Sequence, residues 1–334
     1  MRPLSPRIAA LAAVVALGLG SQSALAQKFC VFDPQGAQGQ GTANAKDYVL
    51  AAKSWGVNLD LKPYTDEGVV VEDFKAGQCD MIAITGLRAR QFNQFTGTID
   101  AVGAIESYPQ ERKVLALLSS PKVDKLMVSG NFETVGIFAL GAGYAFVKDR
   151  SINQLSKAAG KKIAVMDWDK TQRELVQQIG AQAVSADITT YGGKFNNGQV
   201  DIIVAPAILY KPFELYKGLG ANGAIARFPI IQLTAQMVTK RDKFPADFGQ
   251  KSREYTAKQI DHNFDIIKQN EAEVDPKYWM AIKDSEKDGY TKIMREARLR
   301  LVKEGFYDKR MLGILKRIRC EANPSDAECA MQDE

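Results

Sequence analysis

Several residues that could bind a small molecule follow predicted β-strands in this 334-residue sequence. Carboxylates pair with cations, a guanidinium pairs with anions, and an aromatic ring can cover the apolar face of a ligand. Aspartates at strand ends also cap helices, so a structural role stays open for Asp33 and Asp169, as ordinary packing does for Trp168. The candidate ligand-binding residues are Asp33, Thr85, Gly86, Arg88, Tyr144, Asp167, Trp168, Asp169 and Pro206.

The sequence offers no pattern typical of an enzyme active site. Its single histidine, His262, lies in a helical pattern over residues 255–267, where a solvated or packed side chain is the usual case. No HExxH segment or clustered cysteine–histidine spacing occurs, and no Gly-x-Gly-x-x-Gly loop follows a predicted strand. We therefore predict no catalytic residue, no metal and no cofactor. Carboxylate-based hydrolysis stays open as an alternative, because its acids need no fixed sequence spacing.

An internal repeat predicts the elements that position the candidate residues. Residues 74–82 match residues 195–203 at Phe, Gly, Gln, Asp and Ile, and residues 28–33 match residues 162–167 at Lys, Val and Asp. Between these matches each half contains a helical pattern that stops at a glycine, followed by a β-prone run. Each half is therefore predicted to be a βαβαβ unit. Thr171 and Glu174 have the spacing of a capping box at the start of the second helix.

Two βαβαβ units predict an α/β protein with the two-lobed architecture of periplasmic binding proteins. Right-handed crossover helices make each lobe a parallel-type sheet flanked by helices. The apolar segment 135–147 is predicted as a hinge strand between the lobes, and segment 224–238 as the return path. The predicted first lobe is 27–147 plus 224–334, which includes the C-terminal helices, and the predicted second lobe is 148–223. Ligands of such sheets bind beyond the carboxyl ends of the strands.

Residues 1–26 have the pattern of a secretory signal peptide. Arg2 and Arg7 precede an apolar stretch over residues 8–20, and Ala24-Leu25-Ala26 forms a cleavage site before Gln27. The apolar stretch is shorter than the roughly 20 residues that an α-helix needs to cross a bilayer. We expect the segment to be removed, leaving a soluble periplasmic protein.

Composition fits a globular chain and gives no support to nucleic-acid binding. The sequence is 46% hydrophobic and 25% charged, with 44 Lys and Arg against 39 Asp and Glu. Its basic residues are interspersed with acidic ones, so no dense basic patch forms.

Four cysteines in an exported protein predict disulfide bonds. Cys30 lies in the first predicted strand and Cys79 opens the third, and these strands are neighbours in the doubly wound order 2-1-3. A bridge between them would contribute at most roughly 4 kcal/mol by the loop-entropy relation, and a Cys320–Cys329 bridge roughly 2 to 3 kcal/mol. Both bridges are predicted.

Residues 74–204 resemble the substrate-binding proteins of TRAP (tripartite ATP-independent periplasmic) transporters. The matching motifs are residues 77–81 (Gly-Gln-Cys-Asp-Met), 160–165 (Gly-Lys-Lys-Ile-Ala-Val), 175–181 and 198–201 (Gly-Gln-Val-Asp). The chain is similar, more closely, to a proteobacterial group of solute-binding proteins, some of which are labelled efflux-associated. The resemblance implies two α/β domains, a cleft between them, and capture of an organic solute for a membrane permease.

One departure from the TRAP pattern bears on the ligand. Where the resemblance implies an arginine that binds a substrate carboxylate, this sequence has Ala164, and Gly143-Tyr144-Ala145 occupies the region of a second arginine. An anionic ligand would then need Arg88 or Arg90. A cationic ligand would use Asp167 and Asp169 beside the aromatic rings of Trp168 and Tyr144, and we favour a neutral or cationic molecule.

The predicted function is capture of a small organic solute in an interlobe cleft and its delivery to integral membrane permease subunits. The ligand is expected to bridge the strand end at Thr85–Arg88 and the strand end at Asp167–Asp169. The alternatives are an accessory periplasmic subunit of an efflux assembly and, with less support, a carboxylate-based hydrolase.

Overall fold

The structure is a computed structural model and describes residues 26–334, so residues 1–25 of the predicted signal peptide lie outside the described residues. The strands are β1 Gln27–Phe32, β2 Leu59–Tyr64, β3 Met81–Thr85, β4 Val128–Ser129, β5 Phe132–Val147, β6 Lys162–Met166, β7 Gln182–Ala186, β8 Ile202–Ala205, β9 Ala224–Ala226, β10 Ile231–Lys240 and β11 Trp279–Met280. The α-helices are α1 Gln40–Ser54, α2 Glu67–Lys75, α3 Gly86–Ala89, α4 Gln94–Gly97, α5 Tyr108–Leu118, α6 Lys170–Gln178, α7 Ile188–Asn196, α8 Leu215–Leu219, α9 Phe248–Lys258, α10 Ile260–Ala272, α11 Asp284–Lys303 and α12 Lys309–Ala322.

The strands form one mixed sheet in the order β2-β1-β3-β10-β5-β8-β6-β7. At one end β1 pairs in parallel with β2 and β3, and at the other β6 pairs in parallel with β7 and β8. Between these parallel groups β10 and β5 run antiparallel to their neighbours. The predicted fold class, two parallel-type α/β lobes joined by hinge strands, is confirmed.

Strand β5 belongs to both lobes. Its residues Phe132 to Gly143 pair with β10, and its residues Tyr144 to Val147 pair with β8. The chain leaves β5 at Val147 and returns in β9, where Ala224 is the register partner of Val147. The exact lobe boundaries, 147/148 and 223/224, stay a prediction.

The internal repeat has one structural role in both lobes. The Asp80 carboxylate accepts a hydrogen bond from Lys28 N at 2.9 Å, and the Asp201 carboxylate accepts one from Lys162 N at 2.8 Å. The backbone amide of each aspartate donates in turn to the carbonyl of the same lysine. The repeated aspartates therefore tie the third strand of each lobe to its first and take no part in the cleft.

The predicted capping box at Thr171 and Glu174 is wrong. Helix α6 begins at Lys170, and its N-cap is Asp169, whose carboxylate accepts hydrogen bonds from Thr171 N and Gln172 N. A carboxylate two residues before Thr171 satisfies the free amides of the first turn, so the helix starts two residues earlier than the box predicts.

The C-terminal helices pack around the sheet and also contact the second lobe. Helices α9 and α10 lie against β5, and α12 lies against α5. Helix α11 contacts the first lobe where Arg298 Nη1 donates to Val102 O at 3.1 Å. It contacts α6 of the second lobe where Arg300 Nη1 donates to Gln178 Oε1 at 3.1 Å.

An ionic cluster joins α11 and α12 to the C-terminal segment 327–334. Arg298 and Arg319 are buried, and both pair with Glu328, at 2.6 and 2.7 Å, and with Glu334, at 2.5 Å each. The disulfide Cys320–Cys329 links the same segment to α12. The disulfide Cys30–Cys79 links β1 to the loop that leads into β3. Both predicted disulfides are thus present in the structure.

Candidate functional site

A cavity of about 340 Å³ lies where the strands of both lobes end. The first lobe contributes the ends of β1 and β3 and the middle of β5 and β10, and the second contributes β6 and the end of β8. Helices α10 and α11 close it from the C-terminal part of the chain. The wall is mostly apolar, and its polar side chains are Asp33, Gln35, Gln40, Asn44, Tyr48, Thr85, Asp100, Asp169, Thr171, Gln172, Tyr191, Asn263, Asn270 and Tyr307.

The structure brings some of the predicted site residues to this cavity and not others. Four of the nine candidates line it, namely Asp33, Thr85, Asp169 and Pro206. Gly86 starts helix α3 beside the wall, where a Cβ atom would lie 2.3 Å from Thr234 Oγ1 and 2.6 Å from Asp100 Oδ2. The remaining four, which lie outside the lining, are Arg88, Tyr144, Asp167 and Trp168.

Arg88 and Trp168 contact each other across the two lobes. The Arg88 guanidinium lies 4.3 Å from the ring centre of Trp168. Arg88 Nε also donates to Glu67 Oε2 at 3.1 Å. Burial raises the pKa of Glu67, and its contacts with Thr85 and Arg88 oppose that rise. This chain of contacts joins α2 and α3 of the first lobe to the β6–α6 turn of the second.

Tyr144 is held by a network at the hinge. Its hydroxyl donates to Glu271 Oε1 at 2.8 Å, and the Tyr108 hydroxyl donates to the same oxygen. Burial is the main cause that raises the pKa of both tyrosines. The Trp279 ring packs edge-on against Tyr144, with ring centres 5.1 Å apart. Tyr144 therefore connects β5 to α10 and β11.

Asp33 and Asp169 both accept hydrogen bonds from the first turn of a helix, but they differ in how their oxygens are used. Asp33 Oδ1 accepts from Gln35 N and Oδ2 accepts from Thr42 N in the first turn of α1, each at 2.9 Å. Asp169 Oδ1 accepts three hydrogen bonds, from Thr171 N, Thr171 Oγ1 and Gln172 N. Its Oδ2 is buried and has no partner among the described residues. Asp169 is the N-cap of α6, whereas Asp33 reaches α1 from outside the helix, and of the two only Asp169 has an oxygen without a partner among the described residues.

Asp100 is a wall residue that the sequence did not point to. Both its oxygens accept hydrogen bonds from Thr234, from Oγ1 at 2.6 Å and from N at 3.1 Å. Burial raises the pKa of Asp100 to about 7, although Thr234 and Arg90 oppose the shift. Nearby Glu111 is also buried, and burial together with Asp100 raises the pKa of Glu111. At this side of the cavity the protonated acids are favoured.

A β-bulge adds a further wall residue. Thr234 pairs with Ala139 and Leu233 pairs with Gly141, so Leu140 is the extra residue of β5 and lines the cavity. Gly141 follows with φ of +98°, a conformation that side chains rarely adopt. The glycine pair 141 and 143 was the available sequence signal for an irregular strand at this point.

Helix α10 presents two asparagines to the cavity, seven residues apart. Asn263 is occupied, because its amide bonds to both the N and O atoms of Ala139. Asn270 lies two helical turns further along the same face of α10 and also lines the cavity. In the sequence, the signal of a helix face that contacts the cleft was this spacing of Asn263 and Asn270, with Ile266 and Ile267 between them.

A glycine motif precedes β9, but it does not have the position of a dinucleotide-binding loop. Residues 218–223, Gly-Leu-Gly-Ala-Asn-Gly, do match Gly-x-Gly-x-x-Gly. They span the end of helix α8 and the turn that leads into β9, whereas a dinucleotide-binding loop joins a strand to the start of a helix. Within residues 26–334 no helix is long and apolar enough to cross a membrane.

A two-lobed α/β sheet with one cavity walled by strand ends of both lobes is the architecture of solute-binding proteins. Residues 50–334 match the family described as solute-binding protein AdeT 1/2, and the chain belongs to this family. It is 52% identical over 304 residues to the probable solute-binding protein AdeT1 of Acinetobacter baumannii, covering 91% of this chain and 100% of that protein. It is 27% identical over 235 residues to the probable solute-binding protein AdeT2 of the same organism, covering 70% and 99%.

Solved structures of TRAP periplasmic solute-binding proteins have the same fold. One from Ralstonia eutropha H16, with bound (S)-2-acetolactate, gives a TM-score of 0.72 at 12% identity and covers 88% of this chain and 98% of that one. One from Rhodoferax ferrireducens, with bound malonate, gives 0.70 at 13% identity and covers 90% and 100%. The predicted similarity to TRAP-type solute-binding proteins is confirmed.

Proposed function

We propose that this chain is a non-enzymatic periplasmic protein that captures a small organic solute between its lobes and delivers it to a TRAP-like membrane permease. The observation that carries the proposal is the cavity itself, whose wall combines Thr85 of the first lobe with Asp169 and Pro206 of the second. The relatives and structural neighbours are named as solute-binding proteins, which supports the same function.

A shared wall gives the ligand a way to change the conformation of the protein. A ligand can shift an equilibrium between open and closed lobes only by its difference in affinity for the two states. A solute that contacts both strand ends makes more contacts in the closed state, and it therefore favours closure. The permease can then distinguish loaded from empty protein by shape.

Small-angle scattering combined with a thermal-shift screen tests the proposal. The protein is purified natively as residues 27–334, and the molecules that co-purify with it are identified by mass spectrometry. A ligand found in this way is expected to raise the melting temperature and to reduce the radius of gyration at the same midpoint. A tight complex with membrane components and no affinity for any small molecule would instead identify an accessory subunit. Turnover of a bound compound would identify an enzyme.

Localisation is tested on the native cell. The mature protein is expected to begin at Gln27 and to be released by osmotic shock without detergent. Recovery only with the membranes, with residues 1–26 still attached, would contradict a periplasmic location.

A further inference from the structure

We propose that the cleft selects an organic cation with an apolar body, whose N–H group donates to Asp169 Oδ2. This inference rests on the proposed function and adds the class of solute to it.

The charges of the cavity wall favour a cation. The lining contains three acidic side chains, of which burial favours the protonated form of Asp100 and leaves Asp33 and Asp169 as the charged candidates. Among the described residues that line the cavity none is Lys, Arg or His. These acids are not grouped closely enough to hold one metal ion. An anionic ligand that enters the cavity loses its hydration and gains no positive charge from the wall in return, and this desolvation is costly.

Asp169 supplies the specific acceptor. The residue is 4% exposed, and its Oδ1 is already engaged by the first turn of α6. Its Oδ2 lacks a donor within the described residues, although buried acceptors are nearly always paired. The oxygen is covered as well as unpaired, so a ligand ammonium that displaces the atoms over it would form a charge-assisted hydrogen bond there.

One basic side chain, Arg90, approaches the wall without lining it, and its Nη2 atom is buried without a partner among the described residues. The Arg90 guanidinium lies 5.0 Å from the ring centre of Tyr307, and its Nε donates to Gly97 O. Its charge acts on the neighbouring carboxyl of Asp100. Arg88, the other arginine near the cleft, is paired with Glu67. Neither arginine lines the cavity.

The rest of the wall suits an apolar body. Branched aliphatic side chains from both lobes dominate the lining, and the rings of Phe138, Tyr191 and Tyr307 are among them. Aromatic faces attract organic cations as well as apolar groups. The volume of about 340 Å³ is at the lower end of the roughly 300–1,000 Å³ typical of small-molecule sites. The ligand is therefore a compact amine, in contrast to the carboxylates bound in the two neighbouring structures.

Calorimetric titration with three probes of one shape tests the inference. Phenethylammonium, phenethyl alcohol and 3-phenylpropionate share an apolar body and differ in the charge of the head group. Hexylammonium, hexanol and heptanoate repeat the comparison without the ring. The ammonium of each set is expected to bind the mature protein at least about tenfold more tightly than its alcohol, and the carboxylate more weakly than both.

The variant Asp169→Asn tests the named atom. Asparagine caps a helix as well as aspartate does. In the variant the Oδ2 position holds either an amide nitrogen, which donates, or an uncharged oxygen. Ammonium affinity is expected to fall roughly tenfold to a hundredfold while alcohol affinity changes little. The matched control is Asp187→Asn, because Asp187 caps α7 with the same three bonds, from Thr189 N, Thr189 Oγ1 and Thr190 N, and does not line the cavity.

Three results would overturn the inference. The first is tighter binding of the carboxylates than of the ammonium probes, which would bring Arg90 into the site. The second is an equal loss of ammonium affinity in Asp169→Asn and Asp187→Asn. The third is no ammonium binding at millimolar concentration. The wild-type comparison stands even if Asp169→Asn fails to fold. If the natively bound solute is an anion that closes the lobes, the proposed function survives and the cation preference does not.

Discussion

Asp100 makes the stability of the protein depend on pH in an unusual direction. An aspartate has a reference pKa of 3.8, and burial raises that of Asp100 to about 7. The folded protein therefore holds a proton that the unfolded chain has already lost between these values. The contribution of Asp100 to the free energy of unfolding is expected to be highest below about pH 4 and to fall, by at most about 4 kcal/mol, as pH rises to about 7.

The variant Asp100→Asn is expected to remove this loss. An asparagine amide can donate to Thr234 Oγ1 while its oxygen accepts from Thr234 N, which reproduces the protonated acid. Urea unfolding should show the variant close to wild type at pH 4 and more stable at pH 8 by about 2 to 4 kcal/mol. Arg90 and Glu111 face the same carboxyl, and they are left unchanged. Equal stability of the two proteins at pH 8 would show that Asp100 ionises without cost.

Residue by residue, the sequence predicted the contacts that are local and missed those made by the tertiary fold. Asp33 and Asp169 were visible because each follows a strand and precedes a helix. Asp100 and Tyr307 were not, because neither stands at a predicted strand end, and only folding brings them to the cleft. Trp168 was visible as an aromatic residue at a strand end, yet its partner Arg88 comes from the other lobe.

At the scale of elements, the turn after β6 and helix α3 are joined by the contact between Trp168 and Arg88. Partly exposed cation–π contacts contribute about 0.5 to 1 kcal/mol. If the contact stabilises closed lobes, Trp168→Leu is expected to weaken ligand binding by about twofold to fivefold with little change in melting temperature. Calorimetry with the natively bound ligand measures the loss.

The control for this variant is Arg227→Leu, which removes a second cation–π contact and leaves the contact of Trp279 with Tyr144 in place. The Arg227 guanidinium lies 4.6 Å from the ring centre of Trp279, and the two residues belong to the neighbouring strand region of β9 and β11. Loss of this contact is expected to leave closure less affected. A larger affinity loss in the control than in Trp168→Leu would argue against an interlobe role for Arg88.

The ionic cluster of α11, α12 and segment 327–334 gives a second prediction at this scale. Its two arginines lower the pKa of the Glu328 carboxyl, although burial opposes them. This stabilisation is present above the ordinary glutamate pKa and is lost as pH falls through the lowered value, opposite in sign to that of Asp100. Glu328→Gln leaves Arg298 and Arg319 less compensated, and about 3 kcal/mol of stability is expected to be lost at pH 7 in a urea titration.

Exposed pairs provide the comparison for Glu328. Glu72 pairs with Lys75 on the surface of α2 at 3.0 Å, with 73% of the glutamate side chain exposed. Glu72→Gln is expected to change stability by less than about 1 kcal/mol. A similar small loss in Glu328→Gln would mean that water or Glu334 compensates the two arginines.

The element pattern was predictable where the repeat carried it. The Lys–Asp pairs 28/80 and 162/201 recur in sequence and make the same bonds in space, so two equivalent lobes could be predicted. The capping box failed because Asp169 competes for the same amides. The bulge at Leu140 could not be predicted in position, because it depends on the register between β5 and a strand more than ninety residues later.

At the scale of the whole molecule, β10 lies at the centre of the sheet but late in the sequence, and the sheet cannot be completed before β10 pairs. Strands β1 to β3 end at Thr85, and they reach β5 only through β10, which begins at Ile231. The strands β6 to β8 lie within residues 162–205 and can pair with one another over short sequence separations. Contacts of short separation form faster, because less chain entropy is lost in closing the loop.

The second lobe is therefore expected to acquire protection first during refolding from urea, and the centre of the sheet last. Pulsed hydrogen exchange on the disulfide-intact protein should show the β6 and β7 amides protected before those of β10. Protection of β10 in the earliest phase would contradict this order. Until β10 pairs, the edges of β3 and β5 are open together, and unpaired strand edges are the sites at which partly folded chains associate. The same strand that joins the two lobes thus sets the interval in which this protein is most exposed to aggregation.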